Sequence, residues 1–158
     1  LSVVEKAIFP EKTCAFITLQ CKLNEKAKLM MIHTVDAMNY IRDNDLELKG
    51  DPFLEVTKWN QQEDEITFDF CFPIAKKDSY PKSELVKVKN IKKTEALKII
   101  FNGNYRISDR GWFTLLDYAE RNNIPIENNP IEVFLNDPHS GGNELDWQAE
   151  IYMPLKIN

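Results

Sequence analysis

Residues 129–155 read NPIEVFLNDPHSGGNELDWQAEIYMPL, and two segments of this stretch are typical of β-strands. The first covers 131–135, and the second begins at Trp147, beyond a polar loop. Each strand carries a glutamate, Glu132 or Glu150, among aromatic and aliphatic neighbours. An ionised carboxylate is very costly to bury without a partner. The function therefore depends on whether Glu132 faces water, a structural partner or a ligand.

The rest of the chain repeats the pattern that ends in these two strands. Composition and alternation predict strands at 12–21, 53–59, 66–72 and 97–101, and helices over about 25–44 and 109–122. Asn24 and Ser108 are candidate N-caps. One apolar stripe is expected on the first helix, formed by Leu29, Ile32, Val35, Met38 and Ile41. A shift of 78 positions places Tyr40 on Tyr118, Asn44 on Asn122 and Pro52 on Pro130.

We interpret this pattern as an internal duplication within one domain, residues 1–158. The first repeat covers about 10–75, a connector about 75–93, and the second repeat about 94–158. The predicted fold class is α+β, with two strand-helix-strand-strand units that form a pseudo-twofold antiparallel sheet. Its two helices are expected on one face. A ligand cleft is expected between the repeats, because junctions of this kind are common ligand sites.

Strand alternation divides residues 131–136 between two faces. The aliphatic face is expected to pack on the helices, with Ile131, Val133 and Leu135. Glu132 and Phe134 would then point towards the cleft. The first repeat carries Leu54 and Val56 at the equivalent positions, so a glutamate stands where the first copy has leucine.

A purely structural interpretation remains open for each of these residues. Glu132 could be a solvated edge residue, and Glu150 and its first-repeat counterpart Asp69 could face solvent in a sheet open on one side. The helical spacing of three aromatic residues favours core positions: Tyr40, Trp112 and Tyr118. Trp59 and Trp147 stand at strand ends, where core rim and pocket rim are equally plausible.

The composition is that of an ordinary globular protein, with 43% hydrophobic and 28% charged residues. A net charge of −5 argues against broad binding to a phosphate backbone and suits a cationic or neutral ligand. Lysines crowd the stretch from Lys76 to Lys98, which we interpret as a solvated linker and an edge strand. No apolar run approaches the length of a membrane span.

Sequence motifs give no support to a cofactor or a metal. Three cysteines without CxxC spacing favour buried free thiols in a reducing compartment: Cys14, Cys21 and Cys71. His33 and His139 have no second ligand at metal spacing, and neither a P-loop nor a G-x-S-x-G motif occurs. The chain begins at Leu1 without a secretory segment, so we expect a cytoplasmic protein that is either trimmed at its start or a domain cut from a longer protein.

Taken together, several short motifs resemble the GyrI-like small-molecule-binding domain, the effector-binding domain of bacterial AraC-type and MerR-type regulators. They are Gly50-Asp-Pro-Phe, Phe72-Pro73, Gly103-Asn104-Tyr105, Trp112, the Pro-x-Glu-x-aromatic-x-x-Asp-Pro run at 130–138 and Trp147-x-x-Glu150-Ile151-x-x-Pro154. The resemblance covers nearly the whole chain, and the order and spacing of the motifs carry it. It implies the duplicated architecture that the repeats indicate independently.

The resemblance also implies a multidrug-type ligand site, with Glu132 at the pocket floor to pair with cationic aromatic compounds. Phe134, Trp147 and Tyr105 would form stacking walls, and the remaining expected ligand-binding residues are Leu54, Val56 and Tyr152. A carboxylate among aromatic rings favours a delocalised cation. Phe134 departs from the tyrosine usual in the family, which removes one hydroxyl from the site.

The same resemblance leaves three functions open. The first is effector sensing in transcription regulation or in a multidrug or toxin response. DNA would then be read by another domain, since this segment carries no DNA reader and no membrane contact, and relatives also occur after a START-like domain. The second is a hydrolase of strained cyclopropane-type electrophiles, with Glu132 and Glu150 as acid and base and Tyr105 or Tyr152 as donors. The third is a protein-binding module, as in gyrase-inhibiting relatives.

Overall fold

The predicted helices and strands form close to their expected bounds, and one unpredicted strand joins them at the start of the chain. A computed structural model describes residues 1–157. Its strands are β1 (Glu5–Phe9), β2 (Lys12–Lys22), β3 (Phe53–Asn60), β4 (Glu65–Pro73), β5 (Lys87–Ile91), β6 (Thr94–Asn102), β7 (Ile131–Phe134) and β8 (Gln148–Pro154). Its helices are α1 (Lys26–Asp43) and α2 (Asp109–Arg121). The class is α+β, as predicted.

All eight strands form one antiparallel sheet in the order β1-β6-β8-β7-β3-β4-β2-β5. The two repeats meet at its centre, where β3 pairs with β7. Leu54 lies directly opposite Glu132 in this pairing. These two residues are 78 positions apart, so the pseudo-twofold axis passes through the pair that the duplication makes equivalent.

The two repeats share local geometry at the ends of their helices. Asn44 and Asn122 each donate a side-chain hydrogen bond of 2.8 Å to the carbonyl oxygen of the tyrosine four residues earlier. The next residues, Asp45 and Asn123, have φ angles of 52° and 54°. Aspartate and asparagine tolerate this left-handed conformation, and it reverses the chain after each helix. The duplication is therefore visible in individual turns.

Each of the two outer strands pairs with a strand of the repeat that it does not directly precede in the sequence. β1 is followed by β2 after two residues yet pairs with β6, and β5 is followed by β6 after two residues yet pairs with β2. β1 and β2 are six places apart in the sheet, although the three peptide units between Phe9 and Lys12 can span no more than about 11 Å. The sheet must therefore curl until its two edges lie close together.

This curl gives the protein two apolar clusters. On the helix face of the sheet, the larger cluster includes Leu54, Val56, Trp112, Phe134 and Ile151. On the opposite face, the curl encloses a smaller cluster of Phe9, Cys14, Phe53, Cys71, Ile91, Ala96, Ile131, Val133 and Tyr152. The three cysteines are free thiols, and Cys21 is only partly buried.

The expected orientation of β7 was wrong. Ile131 and Val133 belong to the cluster on the opposite face, whereas Glu132 and Phe134 point to the helix face. Leu135 follows the strand and is 37% exposed. Both faces of β7 are buried, so the alternation showed which residues share a face without showing which face meets the helices.

The expected stripe on α1 was also partly wrong. Ile32 and Val35 are exposed, and the buried side is formed by Lys26, Met30, Ala37, Tyr40 and Ile41. Steps of three residues drift around a helix that turns every 3.6 residues, so a series of such steps does not stay on one face. Asn24 lies in a short 3₁₀ turn ahead of α1 and does not cap it.

The lysine-rich stretch contains an edge strand, as expected, but not every charge there is solvated. β5 is the last strand of the sheet, and Lys89 on it contacts Glu55 and Asp69 at 2.5 Å each. Asp69 is only 7% exposed and accepts a further hydrogen bond from Thr18. Asp69 is thus a structural ion-pair partner and not a solvent-facing residue. No helix within residues 1–157 is long and apolar enough to cross a membrane.

Candidate functional site

A cavity of about 510 Å³ lies between the two repeats on the helix face. From the first repeat it is lined by Met30, Thr34 and Met38 of α1 and by Phe70 and Phe72 of β4. This volume is within the range of about 300–1,000 Å³ common for small-molecule sites. Methionine side chains are flexible and polarisable, so this wall can adapt to ligands of different shape.

The second repeat supplies an aromatic wall to the same cavity. Tyr105, Phe134 and Trp147 all line it, and the Tyr105 ring lies 4.8 Å from that of Phe134 and 5.6 Å from that of Trp147 between centroids. The Tyr105 hydroxyl donates to the carbonyl oxygen of Gln148 at 2.6 Å and accepts from the amide of Asn136 at 3.2 Å. Burial raises the pKa of this hydroxyl to about 12. Tyr105 is therefore a neutral, fixed surface for stacking.

The cavity lies beside α1 because α2 fills the corresponding space in the second repeat. Thr34 on α1 has Trp112 as its counterpart 78 positions later, and Trp112 is fully buried. Gly111 brings α2 so near the sheet that a Cβ there would lie 2.3 Å from Ile151 Cδ1. The first repeat has a small side chain where the second has an indole, and this difference leaves room for a ligand.

Glu132 is enclosed and is not among the residues that line the cavity. Its Oε1 accepts a hydrogen bond of 2.8 Å from Trp112 Nε1, and its Oε2 has no hydrogen-bond partner. Burial raises the pKa of this carboxyl, against the opposing influence of the Lys26 charge and of the hydrogen bond from Trp112. Glu132 thus has a structural partner on one oxygen and none on the other.

Lys26 is a buried basic residue that no sequence pattern indicated as part of the site. Its side chain is fully buried at the start of α1, and Nζ donates a hydrogen bond of 2.5 Å to the carbonyl oxygen of Tyr105. Nζ also lies 3.7 Å from Asp109 Oδ1 and 5.7 Å from the centroid of the Trp112 ring. Lys26 therefore joins the start of α1 to the start of α2.

Three of the seven expected ligand-binding residues line the cavity, namely Tyr105, Phe134 and Trp147. Glu132, Leu54 and Val56 are buried beside one another on the same face of the sheet but do not line it. Tyr152 is on the opposite face, with its ring 5.2 Å from that of Phe9. The structure brings six of these residues to one face and leaves Tyr152 outside.

The sheet separates the two glutamates expected to act as acid and base in a hydrolase. Glu150 lies directly opposite Val133 in the β7–β8 pair, so it points away from the helix face on which Glu132 lies. Lys98 Nζ contacts Glu150 Oε2 at 2.8 Å, and the Tyr152 hydroxyl lies 3.4 Å from Glu150 Oε1. One substrate cannot contact both carboxylates in this arrangement.

The residues that line the cavity from α1 and β4 were also missed. Met30, Met38, Phe70 and Phe72 looked like ordinary core residues in the sequence. The duplication offered one usable signal, since a shift of 78 places Thr34 on Trp112 and so predicts unequal filling of the two halves. Within residues 1–157 no three side chains of the metal-binding types come together.

The comparisons with known proteins agree with this geometry. A family profile for a GyrI-like small molecule binding domain matches residues 4–156. No curated protein matches the sequence. Among solved structures, the chain is similar to the C-terminal domain of EcmrR, with 17% identity, a TM-score of 0.81 and coverage of 100% of this chain and 99% of that one.

Two further structures share the fold. EcmrR in a complex with DNA gives 17% identity and a TM-score of 0.82 over 98% of this chain, which spans 58% of the EcmrR chain. SAV2435 bound to tetraphenylphosphonium gives 10% identity and a TM-score of 0.59, over 98% of this chain and 94% of that one. The profile match over almost the whole length, together with the duplicated sheet and its cavity, shows that the chain belongs to the GyrI-like small molecule binding domain family.

Proposed function

We propose that the chain is an effector-sensing domain that binds an aromatic, largely apolar small molecule in the cavity between its repeats. The observation that carries this proposal is the cavity itself, which has a volume of about 510 Å³ and is lined by five aromatic side chains and three methionines. The lining includes Met31 of α1 beside Met30 and Met38, and it contains neither lysine nor arginine. Aromatic and adaptable apolar walls suit flat or bulky aromatic compounds of more than one shape.

Tyr105, Phe134 and Trp147 would make the stacking contacts with this ligand. Glu132 would act from behind the aromatic wall, and Leu54 and Val56 would support that wall from the centre of the sheet. The similarity to a protein bound to tetraphenylphosphonium supports a bulky aromatic ligand. The proposed ligand class includes both cationic and neutral aromatics.

The output of binding would be carried by another domain or partner. The similarity to EcmrR in a DNA complex supports a role in transcription regulation, and the part of EcmrR beyond the similarity could supply a DNA-binding function that nothing in this fold provides. Ligand binding shifts the population of conformations that such a partner meets, provided that the ligand prefers one of them.

The test is to fill the cavity with the residue that the second repeat already uses. Thr34→Trp places an indole where the cavity now lies, so the affinity for tetraphenylphosphonium or acridine, measured by calorimetry, should fall at least about tenfold. The matched control is Thr114→Trp on α2. Thr114 does not line the cavity, and its hydroxyl bonds the carbonyl oxygen four residues earlier at 2.9 Å, as that of Thr34 does at 2.7 Å.

Equal loss of affinity in both variants, or none in Thr34→Trp, would place the ligand elsewhere and contradict the proposed site. Failure of both compounds to bind the unmodified protein would contradict the proposed ligand class. Melting temperatures of the three proteins show whether each variant is folded.

A further inference from the structure

The enclosed region behind the aromatic wall holds a basic and an acidic side chain, Lys26 and Glu132. Both side chains are fully buried, and both lie close to Trp112, which donates to Glu132 and lies under the Lys26 ammonium. Charges in such a region interact strongly, because little water is present to screen them. Burial raises the pKa of Glu132, and the Lys26 charge is the largest influence that opposes this rise.

Burial of a lysine at the start of α1 is energetically unfavourable. The N-terminus of a helix carries a partial positive charge, so a buried cation in the first turn of α1 is unfavourable unless anions compensate it. The compensation comes from the Tyr105 carbonyl, from Asp109 and from the field of Glu132. Asp109 keeps 22% of its side chain exposed, so water screens part of its charge and Glu132 is the fully buried anion of the group.

This charge pair lies next to residues that line the ligand cavity. Ala27, the residue after Lys26, lines the cavity, and so does Met30 one turn later. Tyr105 lines it as well, and its carbonyl holds the Lys26 ammonium. Phe134, on the same face of β7 as Glu132, also lines the cavity, so lining residues adjoin both members of the pair.

The remaining charged groups of the lining lie at its rim. Asp51 and Asp137 are exposed, and Asp137 already accepts hydrogen bonds from the amide and ring of His139 at 2.9 Å each. Exposed charges are screened by solvent and salt. The rim thus contributes less than the buried pair to the choice between a charged and an uncharged ligand.

We propose that Lys26 is the internal counter-charge of Glu132 and that the cavity therefore selects an uncharged aromatic ligand over the corresponding cation. A cation entering the cavity meets a carboxylate whose field is already cancelled, and it loses its hydration without an ionic partner in return. An uncharged aromatic gains the same stacking contacts without that loss. This inference rests on the proposed function and narrows its ligand class.

The test compares acridine with N-methylacridinium, which differ by one methyl group and one charge, in a weakly alkaline buffer where acridine is uncharged. The unmodified protein should bind acridine about tenfold more tightly, as measured from probe fluorescence. Lys26→Met removes the counter-charge and should reverse this preference. Lys28→Met removes an exposed lysine two residues along α1 and should leave the preference unchanged.

A second variant covers the case in which Lys26→Met does not fold. Glu132→Gln leaves the Lys26 charge with the partly exposed Asp109 as its remaining anion and should raise the preference for acridine further. Preference of the unmodified protein for N-methylacridinium would overturn the inference while the proposed function stands. The same ligand ratio in Lys26→Met and the unmodified protein would also overturn it, and binding of neither compound would overturn both.

Discussion

Two pairs of equivalent residues distinguish the halves of this protein: Leu54 with Glu132, and Thr34 with Trp112. The first pair lies on the pseudo-twofold axis, and the second decides which half holds the cavity. The two differences are linked, because the Trp112 indole that fills the second half donates its hydrogen bond to Glu132. The glutamate at the axis and the cavity beside α1 thus belong to the same departure from twofold symmetry.

The Leu54–Glu132 difference could be predicted from the sequence, since a shift of 78 positions reveals it. The burial of Lys26 could not. A lysine at the start of a helix is usually solvated, and its burial depends on a hydrogen bond to Tyr105, 79 positions away. Propensity and periodicity describe neighbours along the chain and contain no information about such a contact.

Glu132 should make the protein less stable as the pH rises. Its folded-state pKa is raised above the usual 4.5 because burial disfavours the charged form. Between the two pKa values the native state therefore holds a proton that the unfolded chain has lost, and the free energy of unfolding falls with increasing pH. Relative to Glu132→Gln, the unmodified protein should lose stability as the pH rises above about 4.5 and through the folded-state pKa.

Urea unfolding at a series of pH values measures this difference. Glu120→Gln, at an exposed position of α2, is the control, and its difference from the unmodified protein should not follow the same course. A stability difference that grows in favour of the unmodified protein as the pH rises would contradict the expected direction.

The two helices pack differently on the sheet. α2 approaches it closely at Gly111, whereas α1 stands over Phe70 and Phe72 with the cavity between them. Most helix and strand bounds could be predicted, because their periodicities are local. The face that β7 presents to the helices could not be predicted, since it depends on the hydrogen bond that Glu132 accepts from Trp112 on a distant element. β1 was also missed, because five residues with a single buried side chain give no clear alternation.

Gly111→Ala should destabilise the protein although alanine is the better helix former. The gain in helix propensity is about 1 kcal/mol, and overpacking a dense core costs about 1–3 kcal/mol. With the new Cβ only 2.3 Å from Ile151 Cδ1, we expect a net loss of about 1 kcal/mol in the free energy of unfolding. Ile151→Val removes Cδ1 and leaves the next contacts at 3.5 and 3.6 Å.

A double-mutant cycle tests this explanation. Chemical denaturation should show that Gly111→Ala combined with Ile151→Val is more stable than the sum of the single effects predicts, by about 1 kcal/mol. Strictly additive effects would mean that the close approach at Gly111 is not the cause.

The exchange of edge strands makes the duplicated protein one unit. β1 precedes the first repeat and extends the sheet of the second repeat. β5 precedes the second repeat and extends the sheet of the first. The curl that follows encloses a cluster to which both repeats contribute. The internal duplication could be predicted from the sequence, but this exchange could not, because a short connection between two strands normally indicates that they pair with each other.

Phe9 should therefore stabilise both repeats at once. It belongs to β1, is fully buried, and places its ring 5.5 Å from Phe53 of the first repeat and 5.2 Å from Tyr152 of the second. Phe9→Ala should lower the free energy of unfolding by about 3–5 kcal/mol, whereas Ile8→Ala, at a 55% exposed position of the same strand, should change it little. Tryptophan fluorescence and circular dichroism should report the same single transition in each variant, because the shared cluster couples the repeats. Two separate transitions in Phe9→Ala, one for each repeat, would show that the halves are independent and that the exchanged strands do not join them.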